Sequence, residues 1–253
     1  MSEIVVLGSG TSNGVPLLGA EYSEAFLANP KNHRTRSSIL IQAPKGNILV
    51  DCTPDVRFQL LRNDVRSLDA VILTHTHADH VMGMDDLRPF CILQNKPMPV
   101  YAGRDFQQHV KRIFAYAFEK WPEGVIVPTF DLKDIHEEFE LCEQKICSFW
   151  VLHGALPVIG LRVNDVGYVT DVSEIPPKSW EKLQGLDVLI LDAVRYEPHP
   201  NHFHYEKAIE VAKKLGARQT YFTHLSDVYD HDKVNAELPD GIALAYDGLR
   251  VPF

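Results

Sequence analysis

Short apolar runs set between polar turns recur along the whole chain, and they predict a strand-rich fold. The runs at 4–7, 70–73 and 187–191 have the length and the branched aliphatic side chains of buried strands. A hairpin is expected at 158–170, because apolar segments flank the turn residues Asn164 and Asp165. Further strands are expected at 38–42, 48–51, 97–102, 125–130, 147–152, 219–223 and 242–246.

Apolar residues at helical spacing predict two longer helices. One is an amphipathic helix at 105–121 that packs on the core, and the other, at 204–215, stops at Gly216. The segment 19–36 is polar and irregular and is expected to be a surface loop. Shorter helical turns are expected at 56–61 and 232–238.

Strands and helices are interspersed through both halves of the chain, without a low-complexity linker or an internal repeat. A strand-rich chain of this kind buries its sheets most readily when they pack on each other under outer helices. The pattern therefore predicts an α/β fold, a four-layer αββα sandwich formed by a single domain over residues 1–253.

Composition and charge narrow the class of partner. The chain has 253 residues, 45% hydrophobic content and a net charge of -9, which argues against binding to a nucleic-acid backbone or an anionic membrane. A small anionic substrate held by metal ions remains compatible with that charge. The four cysteines form no C-x-x-C pair, and the amino terminus lacks a signal-peptide pattern, so we expect a cytoplasmic protein. A homodimer is one of the oligomeric states that the sequence allows.

A glycine-rich segment, 8–14, follows the first predicted strand and has two interpretations. It could cradle a phosphate, but it lacks the Gly-Lys-Ser/Thr ending of a P-loop, and Pro16 interrupts any helix that would follow directly. The simpler interpretation, which we prefer, is a tight turn near the functional face of the protein.

The most informative stretch is the histidine-rich segment 74–80, which directly follows the predicted strand 70–73. His75, His77, Asp79 and His80 place four metal-ligand side chains within six residues. Crowding such side chains at the end of a buried strand is costly unless a cation compensates their repulsion and desolvation. The segment therefore predicts a metal site for one ion or two.

Other candidate ligands also follow strand-like runs directly. His153, Asp171, Asp192 and His224 each stand where such a run ends. Because open sheets place functional side chains at strand ends, we expect these residues to share one rim with the histidine-rich segment.

The complete set of ligand positions resembles the signature of the metallo-β-lactamase-fold hydrolases. The resemblance implies a site for two divalent metal ions, with these ligands: His75, His77 and His153 for one ion, Asp79, His80 and His224 for the other, and Asp171 bridging them. It also implies hydrolysis by a hydroxide that the two ions hold. Histidine and carboxylate ligands suit zinc or manganese, and iron is a third candidate.

Finer motifs resemble the phosphodiesterase branch of that family, in particular the cyclic-phosphate phosphodiesterases of the carbon-phosphorus lyase pathway. These motifs are 8–16, Asp51 with 53–55, 201–202, 223–226 and 246–249. The resemblance implies that Asp79 and His202 are catalytic, with His202 contacting the substrate and donating a proton; His204 is the alternative to His202. We expect Asp51 and Asp192 to orient histidine ligands, with a structural role for Asp192 as the alternative.

One departure from that branch concerns a separate structural zinc. Its relatives hold this ion with a cysteine cluster and a late histidine, whereas the present chain has no cysteine at 19–25 and has Asp227 at the late position. We expect no such zinc site here.

Several rival functions use the same ligands. Thioester, lactone and β-lactam hydrolysis are compatible with the site, as is a non-hydrolytic role in binding or cofactor biosynthesis. Processing of tRNA needs a basic arm, and the acidic chain has no block of lysine and arginine. A diiron redox centre would use more carboxylates. A phosphodiesterase acting on a small phosphodiester or cyclic phosphate is the prediction that we carry forward.

Overall fold

Two seven-stranded mixed sheets form the centre of the computed structural model, which describes residues 2–253. The strands are β1 (Glu3–Gly8), β2 (Ser38–Ala43), β3 (Gly46–Val50), β4 (Ala70–Ile72), β5 (Met98–Ala102), β6 (Phe130–Asp134), β7 (Glu138–Leu141), β8 (Gln144–His153), β9 (Leu156–Val163), β10 (Val166–Val169), β11 (Val188–Asp192), β12 (Gln219–Thr223), β13 (Ile242–Leu244) and β14 (Arg250–Pro252). The helices are α1 (Glu24–Ala28), α2 (Val56–Arg62), α3 (Ala78–Val81), α4 (Arg88–Leu93), α5 (Arg104–Ile113), α6 (Pro177–Lys182), α7 (Tyr205–Leu215) and α8 (His231–Glu237).

Sheet topology decides which loops meet. The strand order is β14-β1-β2-β3-β4-β5-β6 in the first sheet and β13-β12-β11-β10-β9-β8-β7 in the second. The strands β3 to β6 pair in parallel, and so do β10 to β13. Parallel neighbours end at the same edge of their sheet, so the loops after β10, β11 and β12 gather at one rim. The loop after β4 reaches this rim from the first sheet, because His80 lies 3.2 Å from Asp171, the second residue after β10.

Side-chain alternation along the strands creates the layers. In β11, Val188 and Ile190 join the core between the sheets, whereas Leu189 and Leu191 join a second core that includes Val211 of α7. Helices α2 and α5 contribute to the first core. A strand that is covered on both faces has apolar side chains on both faces, so its sequence is one continuous apolar run, as at 187–191. The predicted αββα sandwich is confirmed.

The structure confirms some of the predicted helices and strands and corrects others. The helix at 204–215 is confirmed as α7, which ends at Gly216 with a φ of 67°. The helix expected at 105–121 is shorter, since α5 ends at Ile113 and a 3₁₀ turn follows. The strand expected at 125–130 is wrong, because pairing begins only at Phe130; Pro128 has no amide hydrogen to donate to a ladder. The segment 19–36 contains the short helix α1, which Ser23 caps.

A buried carboxylate fixes the glycine-rich segment in place. Asp247 accepts hydrogen bonds from the backbone and hydroxyl of Ser9 (2.9 Å each) and from those of Thr35 (2.8 and 2.6 Å). Close packing explains the glycine at position 8, where a Cβ would lie 2.0 Å from the carbonyl oxygen of Arg36. Leu225, the residue after His224, bonds this segment through Ser9 and Thr11. The segment is a packed turn that supports the loop carrying His224, and it opens no helix.

Within residues 2–253, none of the helices is both long and apolar enough to cross a bilayer.

Replacing Asp247 with asparagine is expected to lower the free energy of unfolding by about 2 to 3 kcal/mol, because an amide nitrogen would face N–H and O–H donors. Urea denaturation of the purified protein measures this. Asp240→Asn, a change at an exposed site, is the matched control. A loss in Asp247→Asn no larger than that of the control would contradict the bracing role.

Candidate metal centre

Every residue of the expected ligand set lies at the rim where strands of both sheets end. The structure places them as follows: His75, His77, Asp79 and His80 on the loop and short helix α3 after β4, His153 at the end of β8, Asp171 after β10, and His224 after β12. Contacts among their side chains bring all seven together between the sheets.

The tightest group contains two carboxylates and two imidazoles. Asp79, His80, Asp171 and His224 each offer a ligand atom, and these atoms all lie within 4.8 Å of one another. Nε2 of His80 is 3.2 Å from an oxygen of Asp79 and 3.2 Å from one of Asp171. Nε2 of His224 is 3.3 Å from the other oxygen of Asp171. The two oxygens of Asp171 thus face different histidines.

Three further imidazoles adjoin this group. The ring centroids of His75 and His77 are 4.6 Å apart, and that of His153 lies 5.2 Å from His77 and 5.9 Å from His75. His75 also lies 4.2 Å from His80, so the two sets of ligands are continuous. The arrangement offers nitrogen ligands on one side and mixed nitrogen and oxygen ligands on the other.

Hydrogen bonds at Nδ1 orient the imidazoles. Nδ1 of His80 donates to Asp51 (2.7 Å) and that of His153 donates to the carbonyl of Asn201 (2.7 Å). Thr74 gives its hydroxyl hydrogen to Asp51 at 2.8 Å, so the oxygen is free to accept from Nδ1 of His75 at 3.0 Å. With each proton held at Nδ1, the Nε2 lone pair remains available as a ligand.

Unpartnered buried atoms show that the site fits a cation. Nε2 of His75, His80 and His224 is buried and has no hydrogen-bond partner within residues 2–253. Buried polar atoms in native proteins are normally satisfied, and aligned imidazole lone pairs beside carboxylates are the donor set of a transition-metal site.

The electrostatics of the group lead to the same conclusion. Burial alone would lower the pKa of His224, but Asp171 and Asp79 outweigh it and raise this pKa to about 9. Burial alone would raise the pKa of Asp79, yet His80 and His224 hold it well below its usual range. In His75, burial and then His80 lower the pKa. The carboxylates stay ionised because protonated imidazoles lie beside them, and a divalent ion that displaces those protons would supply the same positive charge.

Backbone strain accompanies the ligands. Asp51, Asp171 and His224 adopt φ values of 63°, 52° and 59°, in the left-handed region that residues other than glycine seldom occupy. Such conformations cluster at functional sites, where the surrounding structure enforces them.

His202 lies between the two sets of ligands. Its ring centroid is 4.5 Å from that of His153 and 4.8 Å from that of His224. Nδ1 donates to Asp192 at 2.9 Å, and the backbone N–H of Val172 holds the same carboxylate oxygen at 3.0 Å. Asp192 therefore orients His202, while its distance to Nδ1 of His224 is 3.8 Å. The alternative residue, His204, stands at the N-terminal cap position of α7 and makes no side-chain capping hydrogen bond there.

Sequence reasoning missed two supporting groups. Thr74 links Asp51 to His75, and the backbone of Asn201 fixes His153. A hydroxyl residue directly before the first ligand is a signal that could have identified Thr74. The contact of Asn201 is made by a carbonyl, which any residue type provides, so the sequence carries no signal for it.

Side chains join the segment after the glycine-rich turn to the loop that carries Asp227. The hydroxyl of Tyr22 donates to Asp227 at 2.8 Å and accepts from the backbone N–H of Leu17 at 2.9 Å. The ring of Tyr22 stacks on Phe26 with centroids 5.0 Å apart. These contacts tie the segment after the glycine-rich turn to the loop that follows His224.

Comparison with known proteins begins with a family model described as β-lactamase superfamily domain, which matches residues 46–225. The chain is 34% identical over 251 residues to a protein of Porphyromonas gingivalis named octanoyltransferase, covering 97% of this chain and 50% of that protein. It is 25% identical over 272 residues to ribonuclease Z of Pyrobaculum islandicum, covering 90% of this chain and 93% of that protein. The chain spans about half the length of the first curated relatives that it matches.

Among solved structures, the chain is similar to one described as a new diphosphatase from the PhnP family. The two chains are 38% identical and superpose with a TM-score of 0.92, and the match covers 100% of this chain and 98% of the other. The likeness therefore extends over the whole sandwich, including every strand end that carries a candidate ligand.

Replacing Asp171 with alanine is expected to lower the number of bound metal ions, because both of its oxygens face histidines of the site. Native mass spectrometry after reconstitution with zinc measures the metal content. Asp187→Ala is a matched control, since Asp187 lies just before β11 and pairs with Arg218 at the surface. Undiminished two-metal content in Asp171→Ala would exclude a bridging role.

Proposed function

This chain belongs to the β-lactamase superfamily, and we propose that it is a two-metal hydrolase of small phosphodiesters, linear or cyclic, with His202 as its proton donor. Metal-dependent hydrolysis follows from the family and the clustered ligands. The phosphodiester substrate, the number of ions and the roles of individual residues are the proposal.

The observation that carries the proposal is the position of His202. It is an anchored imidazole whose centroid lies within 4.8 Å of those of two candidate ligands, His153 and His224. Because Asp192 holds Nδ1, the opposite nitrogen, Nε2, is the atom that can exchange a proton with a bound substrate. A proton donor beside a metal centre suits a substrate whose leaving group is a poor one, such as an alkoxide.

The ligands would divide between two ions as the family resemblance implies. His75, His77 and His153 would hold one ion, Asp79, His80 and His224 the other, and Asp171 both. When bound, divalent ions polarise a phosphoryl oxygen and acidify water. Zinc and manganese both suit this donor set, and iron is also compatible with it.

The chain's own residues would then complete the hydrolysis. Asp51, Thr74 and Asn201 keep the ligand imidazoles in the tautomer that presents Nε2. The oxygen of a water molecule would form the new bond to phosphorus and lose a proton to solvent, while the bond from phosphorus to the leaving oxygen breaks. His202 would give the leaving oxygen the proton at Nε2 and regain one from solvent.

The similar structure described as a diphosphatase supports a phosphoryl substrate. Cleavage of a diphosphate is the same substitution at phosphorus with a different leaving group, so diphosphates are included among the substrates to be tested below. An extended nucleic acid fits poorly with the net charge of -9, despite the similarity to ribonuclease Z. We therefore propose a small anionic substrate.

A second candidate function is hydrolysis of a thioester or another acyl substrate. The relative named octanoyltransferase favours it, although this chain matches only 50% of that protein. The same two ions would polarise the carbonyl of a thioester. The thiolate that leaves from such a substrate needs no proton donor.

A substrate panel separates these functions. Protein reconstituted with zinc or manganese is offered cyclic phosphates, linear phosphodiesters, diphosphates, thioesters, lactones and a 3′-extended tRNA. We expect turnover of at least one small phosphodiester or cyclic phosphate, and its loss on chelation. Turnover of thioesters with no phosphodiester cleaved would favour the second candidate instead.

Replacing His202 with alanine is expected to slow cleavage of a cyclic phosphate, whose leaving group is an alkoxide, by about 10² to 10⁴-fold. Cleavage of a p-nitrophenyl phosphodiester should be far less affected, because that leaving group departs without a proton. Steady-state kinetics on both substrates measure the contrast, with His204→Ala as the control. Equal losses on both substrates, or none, would show that His202 is not the proton donor.

A further inference from the structure

The loop that precedes His202 is closed and braced. The backbone N–H of Val194 donates to Phe203 at 2.9 Å, which joins the two ends of the loop. The guanidinium of Arg195 donates to the carbonyls of Glu197 (3.3 Å) and Pro198 (3.0 Å). Proline on each side of residue 199 further restricts the backbone. The loop therefore presents its side chains in a fixed arrangement.

His199 stands at the centre of this loop with a defined tautomer. The backbone N–H of Asn201 donates to Nδ1 of His199 at 3.1 Å, so Nδ1 carries a lone pair and the ring hydrogen lies at Nε2. Burial, then His202 and Arg195, lower the pKa of His199, which favours this neutral form. Nε2–H has no hydrogen-bond partner within residues 2–253.

The ring of His199 lies beside the proposed proton donor. The centroids of His199 and His202 are 4.9 Å apart in an edge-to-face arrangement. The backbone of Asn201 holds two histidines: its N–H donates to His199, and its carbonyl accepts from the candidate ligand His153. Asn201 therefore fixes the position of the Nε2–H donor of His199 relative to the candidate metal centre.

We propose that His199 is a substrate-contacting residue whose Nε2–H donates a hydrogen bond to an oxygen of the phosphoryl group. This inference rests on the proposed function for its substrate class. The two histidines have different tasks: His202 transfers a proton, whereas His199 keeps its proton and binds. A preorganised neutral donor stabilises phosphoryl oxygens without the cost of reorienting a side chain during the reaction.

Binding of inorganic phosphate to the zinc-loaded protein tests the proposal without relying on turnover. Calorimetry compares the wild type with His199→Leu, which removes the donor, and with His199→Gln, whose amide N–H can replace Nε2–H. We expect about tenfold weaker phosphate binding in His199→Leu, affinity within about threefold of the wild type in His199→Gln, and full metal content in both. His204→Leu, in the same region, is the control and should bind phosphate normally.

Three results would overturn the proposal. Equal phosphate affinity in His199→Leu and the wild type would show that His199 does not contact the anion. Loss of metal together with phosphate binding would make His199 a positioning residue that acts through Asn201 and His153. Equally weak binding in the Leu and Gln variants would exclude the hydrogen bond. By contrast, a zinc-loaded wild type that neither binds phosphate nor cleaves any phosphodiester of the substrate panel would refute the proposed function itself.

Discussion

The burial of ionised carboxylates among imidazoles, between two apolar sheets, is the constraint on which the rest of the structure depends. Asp79 and Asp171 are held ionised in a site where His80 and His224 have unpartnered nitrogens. Such a group is unfavourable in a protein interior unless positive charge compensates it. Divalent cations would satisfy the oxygens and the nitrogens together, so the arrangement is best understood as a metal centre.

Strained backbone conformations and long-range hydrogen bonds hold these carboxylates and imidazoles in place. Asp171 and His224 occupy left-handed backbone conformations at strand ends, and Leu225 is bonded to the glycine-rich turn. Asp247 in turn fixes this turn from a position 238 residues away from Ser9. The loop after His224 is tied down again by the hydrogen bond between Tyr22 and Asp227. The metal centre and the fold therefore depend on the same contacts.

The layers of the sandwich and the gathering of the candidate ligands at one rim could be predicted from the sequence, because both follow from the pattern of apolar and polar residues. Strands buried on both faces give continuous apolar runs, and polar residues directly after such runs meet where parallel strands end. The error at 125–130 has an equally physical reason, because Pro128 has no amide hydrogen to donate and pairing starts only at Phe130. The left-handed conformations of Asp51 and His224 depend on tertiary contacts, so the sequence carried no signal for them. The contact of Asn201 with His153 uses a backbone atom, so no residue type could have indicated it.

The most direct test of the account is anomalous diffraction from crystals of the zinc-reconstituted protein. We expect two peaks, one among His75, His77 and His153 and the other among Asp79, His80 and His224, with Asp171 between them. A peak at only one of these positions would contradict the two-metal centre. No peak among these residues would contradict the interpretation of the buried group as a metal site.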